Sequence, residues 1–396
     1  NPAFYDEVDA HIQHVQRRVI KPTISNQVMV LCGRFFFQHE LCVALERLDL
    51  DCIRVEYEGI STTHLAANVE ECCATARPRA LITVGFKGCD PDGEVVQIAE
   101  RYGIPVLVWF VDDPRPNCLA FQAMIHANMF AFCWERAYLD WLSTLGFGGV
   151  ASLPLAACSS IFDRPFTGSS ELALSFVGSA MSDRFLEDIR RKFLWDPQLQ
   201  PLVHSQAHAL LSGHRTIFEL ANIPLPYEDT KNRTWFTSLV IHTASGIRRR
   251  EVCRALSAHG LVLVGDPEGW RSVLGETTIV LPHVDYQTQL VSIYQRSAIN
   301  LNITNCQMPT AVNQRLFDGP LAGGFVIGDA QADASELFEP GRELVTYEST
   351  DELVEMVAWY LNHPDDRVKL VEAARVRIRA EHCVEHRLQQ MLQHLE

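Results

Sequence analysis

The sequence predicts an α/β protein made of two doubly wound parallel sheets that face one another across a cleft. Three observations carry that reading. Short, continuously apolar, β-branched runs recur along the chain, as in parallel strands covered on both faces. Helix-length amphipathic segments lie between them, which makes each strand, helix, strand unit a right-handed crossover. The rhythm breaks once, at the Ser-rich stretch ACSSIFDRPFTGSSE (157–171) containing Pro165 and Gly168, and then resumes. A length of 396 residues suits two such units better than one.

In the first unit, placed at 1–160, the predicted strands are QVMVLCG (27–33), CIRVEY (52–57), ALITVGF (80–86), IPVLVWFV (104–111), MFAFCW (129–134) and GVASLPL (149–155). Helices are predicted between them at HELCVALERL (39–48) and HLAANVEECCATA (64–76). The segment NPAFYDEVDAHIQ at the start has a polar, helix-like pattern without the basic-then-apolar layout of a secretion signal. The second unit, placed at 171–396, opens with LALSFVGS (172–179), carries a mostly helical insertion over about 183–257, and continues with GLVLVGD (260–266), TTIVLP (277–282), SAINLNIT (297–304), GGFVIGD (323–329) and ELVTYES (343–349). Two helices are predicted to close the chain, at 350–363 and 365–382.

Composition narrows the function classes. Lys plus Arg number 34 against 49 Asp plus Glu, a net charge of −15, which argues against a nucleic-acid backbone or an anionic membrane as the default partner. Twelve cysteines are scattered without any CxxC spacing, so neither a zinc knuckle nor a secreted disulfide framework is read; a reducing, cytosolic compartment is expected. No run approaches the length of a membrane-spanning helix, so any membrane association is expected to be peripheral, at the inner membrane.

In open α/β sheets ligands bind beyond the carboxyl ends of the strands, and two facing sheets offer one substrate each. Neither GxGxxG nor the GxxxxGK[ST] loop is present, so a phosphate site must be of another type. The most chemically loaded stretch is NLNITNCQMPTAVNQRLFDGPLAGGFVIGD (300–329). A strand is predicted to end at Asn302 and a helix to begin near Thr310 to Asn313, offering unpaired amides to a diphosphate. Arg315 would add a forked donor and Asp318 would accept ribose hydroxyls; the plain alternative is a surface ion pair between the two.

The run NQRLFDGPLAGGFVIGDAQADASELFEPGRELVTYESTDELVEMVAWYLNHPDDR, together with VWFVDDPR (108–115), CWERAYLDWLSTLGF (133–147), LSFVGSAMSDR (174–184), LVLVGD (261–266) and RIRAEHCVEHR (377–387), resembles the CgeB-like (spore-maturation-like) group of GT-B glycosyltransferases. The resemblance implies two Rossmann-like domains, the second holding a nucleotide-diphosphate sugar and the first an acceptor that is a glycan, a lipid-linked glycan or a protein. It implies that Gly178 and Ser179 approach the diphosphate and that Asp266 lies near the base; Asn302, Asn313, Gln314 and Arg315, read from the strand end and helix start above, are counted with them as donor-site residues. Asp318 matches the acidic residue that contacts ribose in the larger retaining group. That group places a glutamate eight positions earlier, where this chain has Thr310.

Glycosyl transfer needs a base for the acceptor hydroxyl if it inverts, and stabilisation of the departing diphosphate. Asp112 and Asp113, at the carboxyl end of the most apolar strand, are the first candidates for the base; alternatively Asp113-Pro114 starts a turn and one carboxylate caps backbone amides. His39 either faces the same cleft or is a surface residue at a helix start. Lys87 and Gly88 line the cleft floor or a solvated loop. Arg184 follows a strand end and is read as a phosphate ligand, whereas Arg248, Arg249 and Arg250 are read as a solvated helix face in preference to a clamp.

The pattern His382-Cys383-Val384-Glu385-His386 fits an inverted zinc-protease motif but is read as part of a docking helix. Asp90-Pro91-Asp92 is read as a loop rather than a metal site, so no obligatory metal is expected and the nucleotide sugar is the only cofactor-like ligand. The competing readings are a nucleotide-sugar epimerase or hydrolase on the same fold, and a non-catalytic sugar-nucleotide or glycan-binding protein, which Thr310 favours.

Overall fold

The computed structural model describes residues 25–90, 92–165 and 170–395. The N-terminal segment, Pro91 and the part of the linker that includes Gly168 lie outside the described residues, as do the readings attached to them.

Twelve strands form among the described residues, each within one of the predicted apolar runs or shifted from it by a single residue. In the first unit they are β1 (Gln27–Cys32), β2 (Asp51–Glu56), β3 (Leu81–Val84), β4 (Val106–Phe110), β5 (Met129–Cys133) and β6 (Gly149–Ser152). In the second they are β7 (Leu172–Val177), β8 (Leu261–Val264), β9 (Val280–Leu281), β10 (Ser297–Leu301), β11 (Val326–Asp329) and β12 (Val345–Tyr347). Every pairing is parallel, in the orders β2-β1-β3-β4-β5-β6 and β12-β11-β10-β7-β8-β9. Strands β3, β4, β8, β10 and β11 are buried at every residue, which is why they read as unbroken apolar runs rather than alternating ones. The chain reverses its direction of winding between β1 and β3 in one sheet and between β7 and β10 in the other, and these two switch points are where such sheets bind ligands.

Three expectations change. The helix expected to begin near Thr310 to Asn313 begins at Arg315 and runs only to Leu321. Residues 302–314 before it are irregular, because their amides bond to side chains from elsewhere in the fold instead of to one another. The chain closes on three helices rather than two: Thr350–Asn362, Pro364–Glu381 and Val384–Gln393, with extended backbone at Cys383 (ψ 160°) breaking the second from the third.

The boundary between units is also not a single cut. The helix Val384–Gln393 returns to the first unit, where Arg387 donates to the Pro154 and Leu155 carbonyls at 2.9 and 3.1 Å and Ala157 bridges Cys383. Glu385 accepts from Arg47 at 3.1 Å on the helix Gln38–Arg47 of that unit. One hydrophobic core accordingly runs from the first sheet through the interface to Leu316, Phe317 and Leu321, while a second core covers the other face of the second sheet around Trp270, Leu353 and Val357.

Candidate active site

At the switch point of the second sheet β7 ends in a turn, Gly178 to Ala180, that is held from three sides. Trp270 Nε1 donates to the Gly178 carbonyl at 2.8 Å, Asp266 accepts from the Ala180 amide at 3.0 Å, and Arg249 Nη1 donates to the Ser179 carbonyl at 2.8 Å. A Cβ on Gly178 would stand 3.2 Å from the Phe176 ring, so any side chain there would press on that ring. The guanidiniums of Arg249 and Arg315 lie against Phe176 with centroid distances of 5.5 and 5.1 Å.

Arg315 comes from the first turn of the short helix after β10 and donates to Asn302 Oδ1 at 2.9 Å and to the Val177 carbonyl. Among the described residues neither guanidinium forms an ion pair with a carboxylate, and the Nε of each lacks a hydrogen-bond partner. Burial, helped by the neighbouring charge of Arg315, lowers the pKa of Arg249 to about 10. Two cations on one ring with no carboxylate in contact are an arrangement that an anion stabilises strongly.

Asn302 connects this pair to the next strand. Its Nδ2 donates to Asp329 Oδ1 at 3.1 Å, the same oxygen accepts from the Thr304 amide and hydroxyl at 2.9 and 2.8 Å, and Arg248 stands 3.8 Å from Asp329 Oδ2. Beyond that pair opens a cavity of about 780 Å³ at the carboxyl ends of β11 and β12, lined by Phe218, Arg248, Met308, Asp329 and Tyr347, a size that admits a small-molecule ligand.

The first sheet contributes Asp112 just beyond β4. It is exposed at its surface, faces the other unit, and accepts from Gln307 Nε2 at 3.3 Å. Desolvation raises its pKa above the usual carboxylate value, and the charge of Asp113 adds to the rise, against the Gln307 hydrogen bond and Lys87. Lys87 itself lies 4.9 Å above the Phe35 ring.

Several sequence-predicted residues are placed elsewhere or are already engaged. Asp113 caps the helix Pro114–Phe121 and pairs with Arg115 at 2.5 Å, the turn-forming alternative rather than the base. His39 is exposed on its helix, while its neighbour Glu40 is the residue that turns into the interface, accepting from Gln287 at 3.3 Å. Arg184 is 78% exposed and pairs with Glu268, and Asp266 spends both oxygens on the Ala180 and Gly269 amides.

Asp318 is fully enclosed, accepting from Tyr286 and Gln314 at 2.9 Å each, and burial holds its pKa well above the ordinary carboxylate range. Gln314 also donates to the Ala156 carbonyl at 2.7 Å, and Asn313 accepts from the Arg315 amide at 3.2 Å, so both hold the loop rather than face the cleft. The surface ion pair between Arg315 and Asp318 does not form: one points to Asn302, the other to Tyr286. His382 uses both ring nitrogens, one on the Leu337 carbonyl at 2.8 Å and one on Arg387 at 3.1 Å. Asp90 caps the helix Glu94–Arg101 through the Glu94 and Val95 amides.

Two participants escaped the sequence reading. Arg249 was placed on a solvated face, yet it is 8% exposed; the spacing Ser245, Arg249, Val252, Leu256 sets it on the buried stripe of its helix, and that periodicity was the available signal. Glu135 lies in the quoted block CWERAYLDW, but nothing local indicates that it is fully buried against the other unit.

A family described as glycosyl transferase-like matches residues 248–393. No curated protein sequence matches the chain. Among solved structures, the chain is similar to a sucrose-phosphate synthase from Thermosynechococcus elongatus, with 13% identity and a TM-score of 0.53 over 93% of this chain and 97% of that one. It is similar to a glycosyltransferase from Rickettsia africae at 11% identity and a TM-score of 0.52, over 93% and 97%. It is also similar to Anabaena HepE in complex with UDP-glucose, at 12% identity and a TM-score of 0.50, over 93% and 99%. The fold is GT-B: two parallel six-stranded sheets with flanking helices, facing each other.

Proposed function

We propose that the chain is a GT-B glycosyltransferase of the CgeB-like group that moves a sugar from a nucleotide-diphosphate donor to an acceptor hydroxyl. The observation that carries this reading is the Arg249 and Arg315 pair at the switch point, Arg249 buried and Arg315 half-buried against Phe176, neither in an ion pair with a carboxylate among the described residues. A diphosphate supplies the missing counter-charge and gains charge as it departs, which is when the two guanidiniums stabilise it most. The cavity beside Arg248 and Asp329 gives the rest of the donor room, with Asp329 and Glu348 at its polar side.

Asp112 takes the acceptor proton from the opposite sheet, its raised pKa being suited to a base that must also release that proton. The solved structure of HepE with UDP-glucose supports a uridine donor. The chemistry needs no metal in this reading, because the guanidiniums take that role, and the setting is cytosolic.

One observation favours the non-catalytic alternative: Asp318 is sealed by Tyr286, and the amides of Thr310 and Ala311 are already bonded to Glu135. Thermal denaturation with UDP, GDP and their glucose adducts separates the readings. At a hundred times its dissociation constant the donor adds about 2.7 kcal/mol of stability, and Arg315→Ala or Arg249→Ala abolishes that shift. Binding without transfer to any acceptor glycan, with Asp112→Asn indistinguishable from the wild type, would select the binding protein.

A further inference from the structure

The loop 302–314 is irregular, yet Ile303, Thr304, Asn305, Cys306, Ala311 and Val312 are all buried. A buried segment without secondary structure must find partners for its amides among side chains. At its start the partners come from its own unit: Asp329 accepts from the Thr304 amide and Ser245 Oγ from the Cys306 amide, while the Ser245 hydroxyl donates to Asn305 Oδ1. At its far end they come from the other unit. Glu135, fully buried, accepts from the Thr310 amide at 2.9 Å, the Thr310 hydroxyl at 2.6 Å and the Ala311 amide at 2.9 Å, while its own segment is fixed by the Ala137 amide at 2.9 Å.

Tyr138 adds a bond to the Gln307 carbonyl at 3.1 Å, and Arg136 pairs with Glu336 across the same seam. The loop delivers Gln307 to Asp112 and ends at Arg315.

We infer that Glu135 is a positioning residue: its carboxylate folds the end of the donor-side loop only when the two units are closed on each other, so that closure and the placement of Arg315 are one event. A carboxylate that accepts four bonds, two on each oxygen, cannot be matched by an amide, which must turn an N–H toward donors. The catalytic consequence rests on the donor reading above; the structural coupling does not.

Hydrogen exchange on the unliganded full chain tests the coupling. Glu135→Gln is expected to speed exchange at the Thr310 and Ala311 amides by about tenfold or more while leaving β10 and β11 protected. Arg47→Ala, which removes an ion pair to Glu385 elsewhere on the seam, is expected to leave those amides unchanged. Equal loss in both variants, or no loss in Glu135→Gln, overturns the assignment. If Glu135→Gln does not fold, Thr310→Val removes the hydroxyl alone and must still speed exchange at Thr310 and Ala311; unchanged exchange there overturns it as well.

A separate titration with UDP reads the functional half. A roughly tenfold weaker affinity in Glu135→Gln than in the wild type, restored in part by Glu135→Asp, fits a positioning role. Equal affinities of wild type and Glu135→Gln would show that the loop does not serve the anion site. If UDP binds neither protein, the donor reading fails while the exchange result still decides the coupling.

Discussion

At the scale of single residues, the two neighbouring acids after β4 do opposite work. Asp113 is locked to Arg115 and to a helix start, so Asp113→Ala leaves a buried guanidinium unpaired and is expected to cost about 3 to 5 kcal/mol, visible as a lower urea midpoint. Asp112 has no such duty: Asp112→Asn is expected to keep the midpoint and lose transfer. Because desolvation between the two units raises the pKa of Asp112, the base form disappears as pH falls through a value above the ordinary one for a carboxylate, and the acid limb of kcat/KM should be raised with it.

His382 gives a stability counterpart. Burial lowers its pKa to about 4, so the folded chain binds fewer protons than the unfolded one between about 6.5 and 4. Its contribution is present above the unfolded value and lost as pH falls across that window, by about 3 kcal/mol at most. Urea titrations of wild type and His382→Gln across that window should converge as pH falls; parallel curves would remove His382 from the account.

At the scale of elements, the strands were legible because each is an apolar run long enough to cross a sheet covered on both sides, and a pattern of that kind belongs to local sequence. The loop 302–314 was not, because its conformation is written in Glu135, Ser245 and Asp329, far away in the chain. The same reason explains the candidate site. Asp112 follows a strand end and Arg315 opens a helix, positions that local sequence marks; the burial of Arg249 is masked by two flanking arginines, and the enclosure of Asp318 depends on Tyr286 from elsewhere in the chain.

The long helix Thr230–Ala255 tests how tightly elements are fitted. Gly246 lies where a Cβ would meet the Met181 carbonyl at 3.0 Å, just beyond the turn that holds Gly178. Alanine there would gain about 1 kcal/mol of helix propensity but would push that turn, a cost of about 1 to 3 kcal/mol. Gly246→Ala is therefore expected to lower the melting temperature, where propensity alone predicts a rise.

At the scale of the whole molecule, the continuous core through the interface makes the two units one thermodynamic body. Calorimetry is expected to give a single transition for the full chain, and removal of residues 384–396 to expose the Leu388 and Met391 seats and split it into two. Two transitions in the intact chain would contradict that view.

The return of the last helix to the first sheet has a bearing on how the chain is made. Ala157 and Cys383 stand side by side, so everything between them is topologically an insert in the first unit, and the segment that completes that unit leaves the ribosome only after the whole of the second. During synthesis the first sheet must wait with the seat of its closing helix uncovered, and the inserted unit is the one free to fold first, against the usual order from N-terminus to C-terminus. The two stretches of chain that cross between the units are bonded to each other at that point, Ala157 donating to the His382 carbonyl at 2.9 Å and accepting from the Val384 amide at 3.0 Å.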